Sequence, residues 1–148
     1  MVVGNMTIQL YVLLFALRML VRRIDALPGA RHELWYQIQS LGIVILLLFL
    51  GHVLQFATWA ALFMYLGEFS DFNTAFYHST VNFTSLGYGD IVMDEKWRLL
   101  GGLEAANGVL MFGLSAGAIL SMMSGMLRYG PSDLISEDGS RDQGNVRD

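Results

Sequence analysis

The stretch Thr74–Asp90, TAFYHSTVNFTSLGYGD, decides the fold. Its first part, Thr74 to Thr84, is 11 residues with no proline or glycine, and as helix it is about 16 Å long. The six steps from Thr84 to Asp90, extended at no more than about 3.3 Å each, cover much the same distance. A short helix followed by an equally long extended return, placed between two long apolar runs, has the dimensions of a loop that enters a bilayer halfway and comes back. Half the thickness of a hydrocarbon core is about 15 Å.

The flanking runs supply the membrane. Leu41–Leu66 is interrupted only by His52, Gln55 and Thr58, and Leu99–Leu127 is rich in Gly, Ala and Ser. Each exceeds the roughly 20 apolar residues that a crossing helix needs. The small residues of the second run predict packing against protein, and the Leu, Ile and Phe of the first predict contact with lipid. A third run, Met6–Val21, is apolar all round its helix despite Gln9 and Arg18. It is read as a spanning segment with Arg18 snorkelling, in preference to an in-plane amphipathic helix or a cleaved signal peptide. Composition agrees: the chain of 148 residues is 54% hydrophobic and 15% charged, with mean hydropathy +0.47, whereas soluble domains carry about 25% charge. An all-α membrane protein follows.

The basic residues Arg18, Arg22, Arg23, Arg31 and Arg128 predict cytoplasmic ends. The connection from Gly67 to Trp97, with Glu68, Asp71, Asp90, Asp94 and Glu95 against Lys96, then faces outward. Trp35, Tyr36, Trp59, Tyr65 and Trp97 are placed as interfacial anchors. Residues 130–148 are acidic and aperiodic and read as a disordered cytoplasmic tail. The division is therefore an N-terminal membrane segment and basic connection over 1–40, a central domain over 41–129 and the tail. Cysteine is absent, and the negative balance argues against a nucleic-acid partner.

Bare backbone is tolerated at membrane depth where it is buried in protein or lines a watery path. Gly87 and Gly89 permit alternate residues to take φ > 0, which lines up carbonyl oxygens able to replace the hydration shell of a cation. The run Thr84-Ser85-Leu86-Gly87-Tyr88-Gly89-Asp90 resembles the selectivity filter of potassium channels, usually TVGYG, with a pore helix over 74–84, filter over 85–89, outer helix over 41–66 and inner helix over 99–127. Phe112-Gly113-Leu114 and the EAANGVLMFG run are similar to small bacterial members of the two-helix pore family that carry one extra N-terminal span.

The resemblance implies K⁺ coordination by the carbonyls of Ser85, Leu86, Gly87 and Tyr88, with the Ser85 hydroxyl at the inner end. Leu86 and Tyr88 side chains would point into the packing around the pore helix. Thr84, His78, Gly89 and Asp90 would support the filter and its outer mouth, and Gly108 and Gly113 would serve as inner-helix hinges. Phe112, Ala116, Leu120, Ser121 and Ser124 would line the cavity and gate, with Met122, Met123 and Met126 facing neighbouring helices. His78 is placed either against Asp90, coupling the mouth to pH, or against backbone or water. Glu104 is read as bonding to polar groups of the pore helix, and His52 and Asn107 as interhelical hydrogen-bonding groups. One filter strand cannot surround an ion, so a homotetramer is implied.

The function expected is passive, K⁺-selective conduction across a cell membrane, that of a bacterial plasma membrane, with the C-terminus cytoplasmic. No cofactor is expected beyond the transported K⁺. Ser85 for Thr and Leu86 for Val or Ile keep open a weakly selective cation channel. A non-conducting scaffold with a pore-like fold is the alternative from another class. No nucleophile set, metal cluster or nucleotide loop suggests an enzyme.

Overall fold

The computed structural model describes residues 1–26 and 34–128. Part of the basic connection, Arg31 included, and the tail 130–148 lie outside the described residues. Four helices follow one another: α1 (Val2–Ala26), α2 (Leu34–Tyr65), α3 (Phe72–Phe83) and α4 (Arg98–Arg128), with no strand among the described residues. The stretches Val2–Arg22, Trp35–Tyr65 and Arg98–Gly125 are long and apolar enough to cross a membrane. The chain is thus a multi-pass, all-helical membrane protein.

α2 begins seven residues before the outer helix expected from Leu41, because Leu34–Ser40 contains no helix breaker and propagation costs little once a helix exists. It ends at a left-handed glycine: Gly67 has φ +77, Gly67 N–H donates to Met64 C=O and Glu68 N–H to Phe63 C=O, both at 3.0 Å. That pair of bonds is the Schellman arrangement, which only a residue tolerant of φ > 0 closes cheaply. α3 starts at Asp71, whose carboxylate accepts from Thr74 N–H at 3.0 Å and from the Thr74 hydroxyl at 3.1 Å, as an N-cap should.

α2, α3 and α4 share an aromatic core of Phe56, Trp59, Phe63, Phe83, Met93 and Met111. Trp59 is 1% exposed and stacks near Phe63 with ring centroids 5.7 Å apart, so it is a core residue and not the interfacial anchor expected. A second cluster, Ala16, Val44, Leu48 and Met122, joins α1 to α2 and α4.

Between these clusters runs a polar ladder. Gln55 donates to Gln9 Oε1 and Gln9 donates to Ser115 Oγ, each at 2.7 Å; His52 Nε2 lies 3.1 Å from Ser115 Oγ; and Thr58 donates to Asn5 Oδ1 at 2.9 Å. His52 is therefore an interhelical bonding group, as expected. Gly51 admits the approach, since a Cβ there would sit 3.2 Å from Val12 and 3.3 Å from Gln9. In lipid such bonds average about 0.6 kcal/mol each, so the ladder sets the register of α1 more than its stability. Asn5 and Gln9 are four apart, and His52, Gln55 and Thr58 three apart. That helical spacing of polar residues inside apolar runs was the available signal, and pairing the two sets was the missing step.

α4 is less covered by its own chain than α2. The small-residue helix expected to pack against protein leaves much of its surface, including Gly102, Leu103, Val109, Leu110 and Gly113, exposed within one chain.

Candidate functional site

The site is the segment leaving the C-terminus of α3. Thr84 N–H donates to Thr80 C=O at 3.2 Å, Ser85 N–H to Asn82 C=O at 2.8 Å, and Leu86 and Gly87 N–H both to Val81 C=O, at 3.0 and 3.3 Å. The Thr84 hydroxyl adds bonds to the carbonyls of Thr80 at 2.7 Å and Val81 at 3.2 Å. The terminal carbonyls of α3 are thus consumed by the N–H groups of the segment that follows. In a trans peptide the N–H and C=O of one unit point oppositely. The carbonyls of Thr84, Ser85 and Leu86, which share peptide units with the N–H groups of Ser85, Leu86 and Gly87, therefore face away from α3.

The backbone continues this arrangement. Ser85, Gly87 and Gly89 have φ of +58, +55 and +74, and no other residue between them has positive φ. Alternating hand turns successive peptide planes the same way, N–H to one flank and C=O to the other. Two of the three left-handed positions are the glycines singled out in the sequence. The third, Ser85, carries a Cβ in a region that costs about 1–2 kcal/mol, and its bond to Asn82 holds it there. Sequence reading could not find this, because serine carries no signal for left-handed backbone.

Of the two placements expected for His78, the one against backbone is found. Asp90 accepts from the Tyr77 hydroxyl at 2.7 Å, not from His78. His78 is 4% exposed, its ring lying 5.6 Å from that of Phe63 and 5.0 Å from that of Phe69. Its Nδ1–H donates to the Ile91 carbonyl at 3.2 Å, and Nε2 accepts from Asn82 Nδ2 at 2.8 Å. Adjacent residues on a helix are about 100° apart, so only one of them reaches the Asp90 carboxylate, and here it is Tyr77. Glu68 closes the rim by accepting from Asp94 N–H at 2.7 Å.

The Tyr77 hydroxyl holds the Asp90 carboxyl below the usual carboxylate range. With the shift downward, the ionised, tyrosine-bonded form of Asp90 persists at neutral pH and is lost only as pH falls through that lowered value. Tyr77→Phe is expected to move the titration of Asp90 up toward the ordinary range, so that its carboxyl protonates at a higher pH. Site-resolved NMR titration of the two proteins checks this, and identical midpoints would contradict it.

Leu86 and Tyr88 are 55% and 67% exposed within one chain. On α4, Ala116, Leu120, Ser121 and Ser124 lie on exposed surface, with the Ser124 hydroxyl donating to Leu120 C=O at 2.9 Å. Phe112, the fifth of these positions, is also exposed at 36%, with one side of its ring near His52 at 4.5 Å and Phe83 at 5.8 Å. Met122 packs toward α1 and α2 while Met123 is exposed, and the Met126 side chain lies outside the described residues.

α4 is helical through both proposed hinges. Gly108 has a further constraint: a Cβ there would collide with the Phe83 carbonyl oxygen at the end of α3. Gly113 has nothing within 4 Å. Asn107 is buried with neither side-chain polar atom partnered.

With this geometry in place, the comparisons with known proteins are direct. A family model described as "Ion channel" matches residues 42–125, more than half of the chain, and the protein belongs to that ion-channel family. The match takes in α2 from Gly42, the whole of α3, the segment between α3 and α4, and α4 up to Gly125. Neither the curated proteins nor the solved structures yield a match.

Proposed function

We propose that this ion channel conducts K⁺ selectively and passively, as a homotetramer in which the carbonyls of Ser85, Leu86, Gly87 and Tyr88 ring the ion. The observation that carries the reading is the filter backbone. Three N–H groups tied to α3 and alternating φ from Ser85 to Gly89 present a row of carbonyl oxygens on the flank away from α3, at the negative end of its helix dipole. One chain supplies one row, and four rows about an axis make a coordination cage of the kind that replaces water around K⁺.

Two further features support four copies. Leu86 and Tyr88 are apolar or aromatic and uncovered, and the small-residue face of α4 is open; a neighbouring subunit would cover both at close range. The acidic connection, with Glu68, Asp71, Asp90, Asp94 and Glu95, forms the outer mouth of this reading and concentrates cations. The lower cavity is lined by Ala116, Leu120, Ser121 and Ser124, and the C-terminus is cytoplasmic. Transport of this kind requires no cofactor and no catalytic step.

Structure determination of the membrane-embedded protein in Rb⁺ tests it. Anomalous density on a fourfold axis, level with the Leu86 and Gly87 carbonyls, is the expected result. An assembly without fourfold symmetry, or ions bound elsewhere, would remove the reading.

A further inference from the structure

Glu104 is fully buried on α4. Ser79 and Asn82 of α3 are the hydroxyl and amide that act on it, yet neither carboxylate oxygen, nor Ser79 Oγ, closes a hydrogen bond of good geometry. With Glu104 and Ser79 both 0% exposed, no neighbouring subunit can supply the missing partner. A polar group in such a place costs several kcal/mol unless it is bonded, so the carboxyl and the α3 groups facing it have a strong reason to meet.

Asn82 is the informative partner. Its amide nitrogen donates one hydrogen to His78 Nε2 at 2.8 Å and has a second to give. The Ile91 carbonyl can only accept, so His78 Nδ1 carries the proton in its 3.2 Å contact, and Nε2 must accept from Asn82. The sense of the chain is therefore fixed from the mouth inward: Ile91 carbonyl, His78, Asn82. The next acceptor in line is Glu104. Around it, Gly101 keeps α4 close, since a Cβ there would meet Asn82 Nδ2 at 3.0 Å, and Asn82 C=O receives the N–H of left-handed Ser85. Asn82 thus touches the inner helix, the base of the filter and, through His78, its outer end.

We propose that Glu104 is a positioning residue of the filter, an acceptor on the inner helix that orients Asn82 and through it His78 and the Ile91 carbonyl. The inference rests on the reading of 85–89 as a selective filter. It is specific to the acceptor: an isosteric amide keeps the function, and an apolar side chain of the same size does not.

The test uses full-length protein in liposomes, with Glu104→Gln, Glu104→Leu and Asn82→Leu. Glu104→Gln is expected to keep the wild-type Rb⁺/Na⁺ flux ratio, while Glu104→Leu and Asn82→Leu each lower it by about tenfold, the scale of losing a supporting shell around a coordination site. The double variant is expected to lose no more than either single one. A ratio unchanged in Glu104→Leu overturns the proposal, and so does equal loss in the Gln and Leu variants. A second readout is independent of conduction and of yield: the ¹⁵N shift of His78 Nε2 moves in Glu104→Leu and stays in Glu104→Gln. If wild type passes Na⁺ and Rb⁺ equally while the His78 shift still moves, the potassium reading fails and the positioning role stands; a His78 shift indifferent to Glu104 ends the role whatever the fluxes are.

Discussion

Gly108→Ala is expected to abolish recovery of the assembled channel. The added Cβ collides with the Phe83 carbonyl oxygen and approaches the Phe83 ring. Backbone cannot rotate aside as a flexible side chain does, so α4 or the end of α3 must move. Overpacking of this kind costs about 1–3 kcal/mol per chain, occasionally more, and it falls where α3 hands over to the segment 84–89. Phe83 is itself 0% exposed, with its ring against Phe56 at 5.0 Å, so displacement spreads into the aromatic core. Gel filtration in detergent, followed by thermal unfolding, reads the loss. Gly42→Ala on α2, where a Cβ meets nothing within 4 Å, is expected to leave both unchanged. An assembled Gly108→Ala protein with wild-type stability would show that α3 and α4 are not packed as described.

Gly87→Ala is expected to produce folded protein that no longer conducts selectively. Here the added Cβ has open space, and the cost is conformational: φ is +55, a region that disfavours an L-residue by about 1–2 kcal/mol. If four chains share the axis, the conducting backbone is disfavoured by roughly four times that, ample to populate a flipped peptide. Flipping reverses the Leu86 or Gly87 carbonyl and removes a ring of oxygens. D-alanine at the same position, whose preferred φ is positive, is expected to restore Rb⁺ flux. Loss with both enantiomers would mean that space, not backbone hand, governs the position.

Much of this architecture was legible because its causes are local. Apolar run length defined α2 and α4, the absence of breakers from Thr74 to Thr84 defined α3, and paired glycines two apart announced a backbone with alternating hand. What stayed hidden depended on phase and partners. Tyr77 and His78 are neighbours in sequence, and which one meets Asp90 is decided by the rotation of α3 against the return segment. The left-handed Ser85 is imposed by its bond to Asn82, an effect no serine announces. Trp59 looks like an interfacial anchor by position and is a core residue because α3 and Met93 cover it. The extent of α2 before Leu41 was masked by Trp35 and Tyr36, which read as interfacial anchors while being compatible with helix. Gly108 was read for flexibility, whereas the structure gives it a contact that any larger residue would violate.

The central claim is that four backbones between Ser85 and Gly89 select K⁺. Its most direct test is radioactive flux into liposomes holding the purified wild-type protein. The expected result is Rb⁺ uptake that K⁺ competes for and Ba²⁺ blocks, with Na⁺ uptake no greater than in empty vesicles. Equal Na⁺ and Rb⁺ uptake, or none from a folded tetramer, would contradict it.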